Sequence, residues 1–291
     1  MGTPEASPST PLTSVEQIAA AAGNPKKLNG LVSFHDGPNC YNATLLGLGF
    51  VRRVAYSDGM EMRYFLESFC LPRSGEAQAG DVLAVNMNDS LAHVALYLGN
   101  EMIFEKYSIA GRFGQFRNQA YNDSLLAIRR LTDSDYFMGR REELACYQGK
   151  CPSRLVYVCD SAIKVNAELL SAQALKESKL IDAINDRLQA MVLDPKPLEF
   201  DNQTLVDVRA LSKGISHLPG DRPEHLYVLV KANSIVGYLS NLGSEQLLEP
   251  VWTEARDQLR FELRKLQSRL EKTDVSVKTK RILAEPSWLG Y

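Results

Sequence analysis

Positions 37–46 read GPNCYNATLL, which predicts a tight turn followed by the start of a helix. Pro38 fixes its own φ, Asn39 is a good helix N-cap, and the apolar residues that follow give the helix a face to bury. Cys40 is therefore predicted on the first helical turn, where unpaired backbone N–H groups and the helix dipole favour an anion. The thiolate is the nucleophilic form of cysteine, so a nearby base would make Cys40 reactive. Without a base it would be a packing residue, because free cysteine is among the most buried residue types.

Three short strands are predicted further along the chain, with β-branched and aromatic residues between Gly, Asn and Asp. They read AGDVLAV at 79–85, AHVALYLGN at 92–100 and MIFE at 102–105. Gly99-Asn100 is a hairpin signal, so the strand that begins near His93 should pair with the strand that carries Glu105. Residues at similar distances from a hairpin turn lie opposite one another. The pattern thus predicts that Glu105 lies close enough to orient the imidazole of His93.

This order of features resembles the NlpC-like branch of the papain-type cysteine peptidases, a superfamily of cell-wall peptidases and amidases. The resemblance covers about positions 28–160. In that family the cysteine opens a helix packed against a small antiparallel sheet, and the histidine begins the second core strand. A polar residue on the next strand orients the imidazole. The resemblance implies an α+β, papain-like domain in which Cys40 is the nucleophile, His93 the base and Glu105 the orienting residue.

The resemblance also implies an activity, that of a cysteine hydrolase (thiol protease) cleaving an amide bond. Its first implied substrate is bacterial cell-wall peptide, which makes the chain a peptidoglycan endopeptidase or amidase. Two alternatives remain open. One is an acyl or amide transferase, or a deamidase, on the same scaffold; the other is a binding protein with a degenerate, non-catalytic site.

The chain differs from many members of that family around the nucleophile and at the orienting position. It reads Asn39-Cys40-Tyr41-Asn42 where they carry Asp-Cys-Ser-Gly, and the orienting residue is Glu where they more often have His, Asn or Gln. In those members the Asp before the cysteine recognises a free peptide amine. Asn39 and Tyr41 are candidates here for oxyanion or substrate contacts.

A second histidine lies close to the nucleophile in sequence. His35 precedes Cys40 by five residues, so it could donate to an oxyanion, or it could be a structural residue of the turn. It is also a conceivable base. The strand context and the carboxylate partner favour His93 for that role.

The remaining four cysteines, an even number, are Cys70, Cys146, Cys151 and Cys159. Cys146 and Cys151 flank a glycine-containing turn that is short enough to be bridged, so one or two disulfides and an oxidising compartment are favoured. Four reduced thiols are the next alternative. A metal cluster ranks last, because a second CxxC pair and a nearby histidine are missing.

The composition, with 45% hydrophobic and 23% charged residues among 291, is that of an ordinary globular protein. A net charge of -2 without any Lys- or Arg-rich run gives no electrostatic footprint for nucleic acid. No apolar run approaches the ~18 residues of a membrane span. The partner that the resemblance implies is a peptide or cell-wall substrate. No cofactor or metal is expected, and the sequence indicates no oligomeric state.

Three segments are predicted along the chain. Positions 1–28 form a flexible leader with a short helix opened by a capping signal, positions 29–160 a papain-like catalytic domain, and positions 161–291 a helical domain with apolar residues at helical spacing. The leader lacks the basic and apolar regions of a signal peptide. A periplasmic or secreted location would therefore require that a signal had been removed; the alternative is the cytoplasm.

Overall fold

The computed structural model describes residues 14–32, 38–87, 89–106, 125–139, 151–160, 170–194, 201–245, 249–273 and 276–287. Over these ranges the chain is an α+β protein with one seven-stranded antiparallel sheet and ten α-helices. The predicted α+β class is confirmed. Among the predicted functional residues, His35 and Cys146 lie outside the described ranges.

The sheet has the strand order β1-β6-β5-β4-β3-β7-β2, and every neighbouring pair is antiparallel. The three predicted strands are its centre. The bounds of the seven strands are β1 Leu31–Val32, β2 Cys70–Pro72, β3 Val82–Met87, β4 Ser90–Gly99, β5 Met102–Lys106, β6 Leu125–Arg130 and β7 Ser153–Cys159.

The helices divide between the two ends of the chain. Five of them accompany the strands, and five follow in the described part beyond residue 170. Their bounds are α1 Val15–Ala21, α2 Pro25–Leu28, α3 Cys40–Leu48, α4 Gly59–Phe69, α5 Asp135–Met138, α6 Ala172–Leu193, α7 Asn202–Ser216, α8 Pro223–Glu245, α9 Pro250–Glu271 and α10 Val277–Leu283.

Helix α3 begins at the predicted residue and packs on β4 and β5. The side-chain Oδ1 of Asn39 accepts the Asn42 N–H at 3.0 Å, which satisfies one of the unpaired donors at the helix start. On the sheet side, a Cβ at Gly47 would lie 3.0 Å from a ring carbon of Phe104, so a larger residue there would push α3 away from the sheet. The glycine therefore permits the close approach that holds α3 to the sheet.

The hairpin of β4 and β5 is also confirmed. Gly99 pairs with Met102, and the two turn residues, Asn100 and Glu101, have φ values of 51° and 58°. Such left-handed pairs form the tight hairpin turn whose twist matches that of the flanking strands. The register shifts between Tyr97 and Gly99, after which Leu96 pairs with Phe104, so the turn and this irregularity together set how β5 lies beside β4.

The sheet half (residues 14–160) and the helical half (residues 170–287) share one hydrophobic core. A continuous cluster of buried apolar side chains runs from Ile18 through Phe104 to Leu283. Helix α4 provides the link, since it packs on both α8 and α10. The predicted division into a catalytic and a helical domain remains a prediction. No helix in the described ranges combines the length and the apolar character needed to cross a bilayer.

A disulfide joins Cys70 of β2 to Cys159 of β7, whose Cα atoms are 4.1 Å apart. The predicted use of cysteines in disulfides is supported for this pair, whereas a bridge between Cys146 and Cys151 remains a prediction. The Cys70–Cys159 bridge closes a long loop, because the two residues are 89 positions apart. A cross-link over such a loop restricts the unfolded chain far more than the folded one.

We therefore expect the double variant Cys70→Ala/Cys159→Ala to lose about 4 kcal/mol of unfolding free energy. Urea unfolding followed by fluorescence measures the loss as a lower midpoint, with a steeper slope because the unfolded chain without the bridge exposes more surface. In excess reductant, which opens any other bridge in both proteins, the wild type and the double variant should have similar midpoints. Equal midpoints for oxidised wild type and the double variant would show that the bridge does not stabilise the fold.

Candidate active site

Cys40 is the first residue of α3, with a half-buried free thiol. Helix geometry leaves the backbone N–H groups of this first turn without intrahelical acceptors, and the helix dipole adds partial positive charge. The thiol sulfur therefore lies where a negative charge is favoured. The other predicted members of the site come from the central hairpin.

His93 lies on β4 and is buried, with 1% of its surface exposed. Its ring Nε2 is 2.7 Å from Oε2 of Glu105 on β5. The helix that Cys40 begins packs on β4, and the Cys40 thiol is close enough to act on the charge of the ring. Because Nε2 is occupied by Glu105, Nδ1 is the nitrogen available to the sulfur. The structure thus brings Cys40, His93 and Glu105 together in the order that the sequence predicted.

The charge state of His93 follows from this placement. Burial is the largest influence and lowers the pKa of His93, but the charge and hydrogen bond of Cys40, with those of Glu105, outweigh it and raise the pKa from 6.5 to about 9. At neutral pH the ring is therefore an imidazolium between two potential anions.

Glu105 is fully buried and is held by more than the histidine. The hydroxyl of Ser134 donates to Oε2 at 3.3 Å, and Nε of Arg129 lies 3.6 Å from Oε1. Both residues come from β6 or the turn after it, which lies beside β5 in the sheet. Fixing the carboxylate in this way also fixes the imidazole that it orients.

An aromatic cover on the imidazole was not predicted from the sequence. The Tyr136 ring stacks on His93 with centroids 4.0 Å apart and planes 5° apart, and Phe137 meets it edge-on at 5.5 Å. Both residues belong to α5, which packs over the base. Stacking restricts rotation of the ring and keeps water from its bond to Glu105. The adjacent aromatic residues at 136–137 are visible in the sequence. They cover His93 only because β6, which precedes them, lies beside β5.

Two further candidate contacts have structural partners. Asn39 is buried and caps α3 through Oδ1, while its Nδ2 donates to the Ser57 carbonyl at 2.7 Å. The Tyr41 hydroxyl donates to the Leu91 carbonyl at 2.5 Å. Their predicted contacts with an oxyanion or a substrate remain predictions. In the structure, Asn39 caps α3, and Tyr41 of the same helix hydrogen-bonds the strand that carries His93.

Within the described ranges, no group of three or more His, Cys, Asp and Glu side chains lies close enough to hold a metal ion. The chemistry available at this site is that of a cysteine nucleophile and a histidine acid–base. Comparisons of the chain with models of protein families, with curated proteins and with solved structures returned no match.

Proposed function

We propose that this chain is a cysteine hydrolase that cleaves an amide bond. One observation carries the proposal: Cys40 begins a helix that packs on the strand of His93, and this buried imidazole, on whose charge Cys40 acts, has its Nε2 2.7 Å from Glu105. A nucleophile, a base and a group that orients the base form the arrangement that acyl transfer through a covalent intermediate requires.

In the first half of the reaction, the Cys40 thiolate attacks the carbonyl carbon of the amide. The oxygen that becomes negative is stabilised by backbone N–H groups at the start of α3, among them that of Cys40 itself. The His93 imidazolium then gives its proton to the leaving nitrogen, and the carbon–nitrogen bond breaks. An amine leaves, and a thioester on Cys40 remains.

In the second half, neutral His93 removes a proton from water, and the resulting hydroxide attacks the thioester. The carbon–sulfur bond breaks, a carboxylic acid leaves, and the thiolate–imidazolium pair is restored. Glu105 keeps its charge throughout, because its part is to hold the ring nitrogen and favour the imidazolium. Ser134, through Glu105, and Tyr136, by stacking, limit the movement of the His93 ring during both steps of the reaction.

Cell-wall peptide is the proposed substrate class, on the strength of the resemblance of residues 28–160 to the NlpC-like peptidases. The Cys70–Cys159 disulfide agrees with a chain that works outside a reducing compartment, as a cell-wall peptidase would. A periplasmic or secreted location is therefore part of the proposal.

The experiment that tests the proposal is digestion of purified peptidoglycan by wild type and by Cys40→Ala, with mass analysis of the released fragments. Hydrolysis by the wild type alone, with new amine and carboxyl ends, is the expected result. Repeating the digestion with an added amine separates hydrolysis from transfer, because a transferase would leave the amine attached to the fragment. Equal fragments from both proteins would contradict the role of Cys40.

A further inference from the structure

The short segment after α10 reaches back into the sheet half and ends beside the base strand. Its Glu285 side chain is 2% exposed, and each carboxylate oxygen has a partner. Oε2 accepts from Nε of Arg63 on α4 at 2.9 Å, and Oε1 accepts the backbone N–H of Leu91 at 2.6 Å. A residue of the helical half thus binds the backbone of β4 two positions before His93.

Leu91 lies where the sheet is least regular. On one side it pairs with Asn86, next to an interruption in the register of β3 and β4. On its other side, the described pairing of β4 with β5 begins only at Leu96. Side chains occupy the hydrogen-bonding groups of Leu91 instead, since Glu285 takes its N–H and the Tyr41 hydroxyl donates to its carbonyl.

The Tyr41 bond connects the helix of the nucleophile to the strand of the base, and the Glu285 bond holds the same residue of that strand. Tyr41 directly follows Cys40 in α3, and Leu91 shares β4 with His93. Burial raises the pKa of Tyr41 well above its ordinary value, with Cys40 and Glu285 adding to the effect, so its hydroxyl stays a donor. The backbone of Leu91 is therefore held at its carbonyl by Tyr41, from the helix of Cys40, and at its N–H by the carboxylate of Glu285.

Arg63 and Gly59 of α4 surround the Glu285 carboxylate and fix its position. Nη2 of Arg63 also donates to the carbonyl of Asp89, which fixes the turn that leads into β4. Gly59, the first residue of α4, leaves room for the segment, because a Cβ there would lie 3.3 Å from Cγ of Glu285. Arg63 and Glu285 form a buried ion pair whose geometry is fixed by hydrogen bonds on both sides.

We propose that Glu285 is a positioning residue for the reaction. It holds the start of β4 and so sets the distance between Cys40 and His93. The inference rests on the proposed cysteine hydrolase and adds a function to the helical half, which supplies this residue. Displacements of about 1 Å at a reacting pair can cost roughly 100-fold in rate. Loss of the Leu91 hydrogen bond is therefore expected to weaken the thiolate–imidazolium pair without removing any of its members.

The test is the rate of Cys40 alkylation by iodoacetamide between pH 5 and 10, followed by the mass of the proteolytic peptide that contains Cys40. A free thiol reacts in step with an ordinary value near 8.5, whereas a paired thiolate reacts at lower pH. We expect fast alkylation of wild type at pH 6 and a fall of about 10- to 100-fold in Glu285→Ala, because a weaker pair with His93 leaves less thiolate at that pH. Glu285→Gln keeps an oxygen for the Leu91 N–H and should recover most of the rate.

Two further variants complete the experiment. Glu262→Ala is the matched control, because Glu262 is also buried, ion-paired and in the helical half, with Lys265 as its partner. It should leave the alkylation profile unchanged. Tyr41→Phe removes the other hydrogen bond to Leu91 and should shift the profile in the same direction as Glu285→Ala. If loss of the charge opposite Arg63 unfolds the alanine variant, an unchanged profile in Tyr41→Phe overturns the proposal, because the hold on Leu91 would then not affect the reactivity of Cys40.

The outcomes separate this proposal from the proposed function. A wild type that reacts like a free thiol would overturn both. Fast alkylation in wild type, shared in full by Glu285→Ala and Tyr41→Phe, would leave the hydrolase standing and overturn the positioning role. Equal losses in Glu285→Gln and Glu285→Ala would also overturn it, since they would show that only the ion pair with Arg63 matters.

Discussion

Replacing Cys40 with alanine is expected to lower turnover by about 10³-fold or more, because the variant has no atom that can form the thioester. Replacing His93 with alanine is expected to cost about 10²- to 10⁴-fold, the usual contribution of a positioned acid–base. Steady-state rates on a released cell-wall fragment or a chromogenic amide measure both losses. The fold should survive the cysteine substitution, since the thiol is half-buried and small.

A matched variant guards against a general effect of removing imidazoles. His217 follows α7 and takes no part in the site, so His217→Ala should keep wild-type turnover. Circular dichroism of every variant shows whether the protein is folded at the assay temperature. The assignment of nucleophile and base would be wrong if Cys40→Ala or His93→Ala retained wild-type turnover.

The second large effect concerns pH. The reactive thiolate–imidazolium pair requires protonated His93, whose pKa is raised to about 9. Activity on the alkaline side should therefore persist above the ordinary histidine value and fall as the pH rises through about 9. Glu105→Gln keeps an acceptor for the ring N–H but removes a charge that favours the imidazolium. Its alkaline limb should move to lower pH, with substantial activity retained at neutral pH.

Glu105→Ala loses orientation as well as charge, so its turnover should fall by roughly 100-fold at every pH. Rates measured from pH 5 to 10 for wild type and the two variants test both statements. Ser134→Ala removes only the 3.3 Å bond to the carboxylate and serves as the milder comparison. Profiles of Glu105→Gln and Glu105→Ala that coincide with wild type would make Glu105 an ordinary strand residue.

Local signals account for the parts of the site that the sequence predicted. The Asn39 cap fixes the start of α3, and the two-residue turn after Gly99 makes β4 and β5 antiparallel neighbours, which brings His93 and Glu105 to the same end of the hairpin. Both features involve residues close together in the chain, where turn chemistry and register leave few choices. The resemblance to the NlpC-like peptidases supplied the roles of Cys40, His93 and Glu105 but not their positions.

The supporting residues could not be predicted because they arrive through the order of the strands. Tyr136 and Ser134 follow β6, which lies beside β5 only because the sheet orders its strands as 1-6-5-4-3-7-2. Glu285 comes from a segment 194 residues after the Leu91 N–H that it accepts. Neither relation leaves a pattern in the sequence, since a buried glutamate and an aromatic pair occur in many contexts.

The shared core constrains how such a chain can change during evolution. In many proteins a catalytic module can be recombined with new neighbours, because each module buries its own apolar surface. Here α4 contributes buried side chains to both halves, so a sheet half transferred to another gene would leave the face that meets α8 and α10 open to water. The two halves are therefore expected to be inherited together, and to diversify by substitution more readily than by exchange of parts.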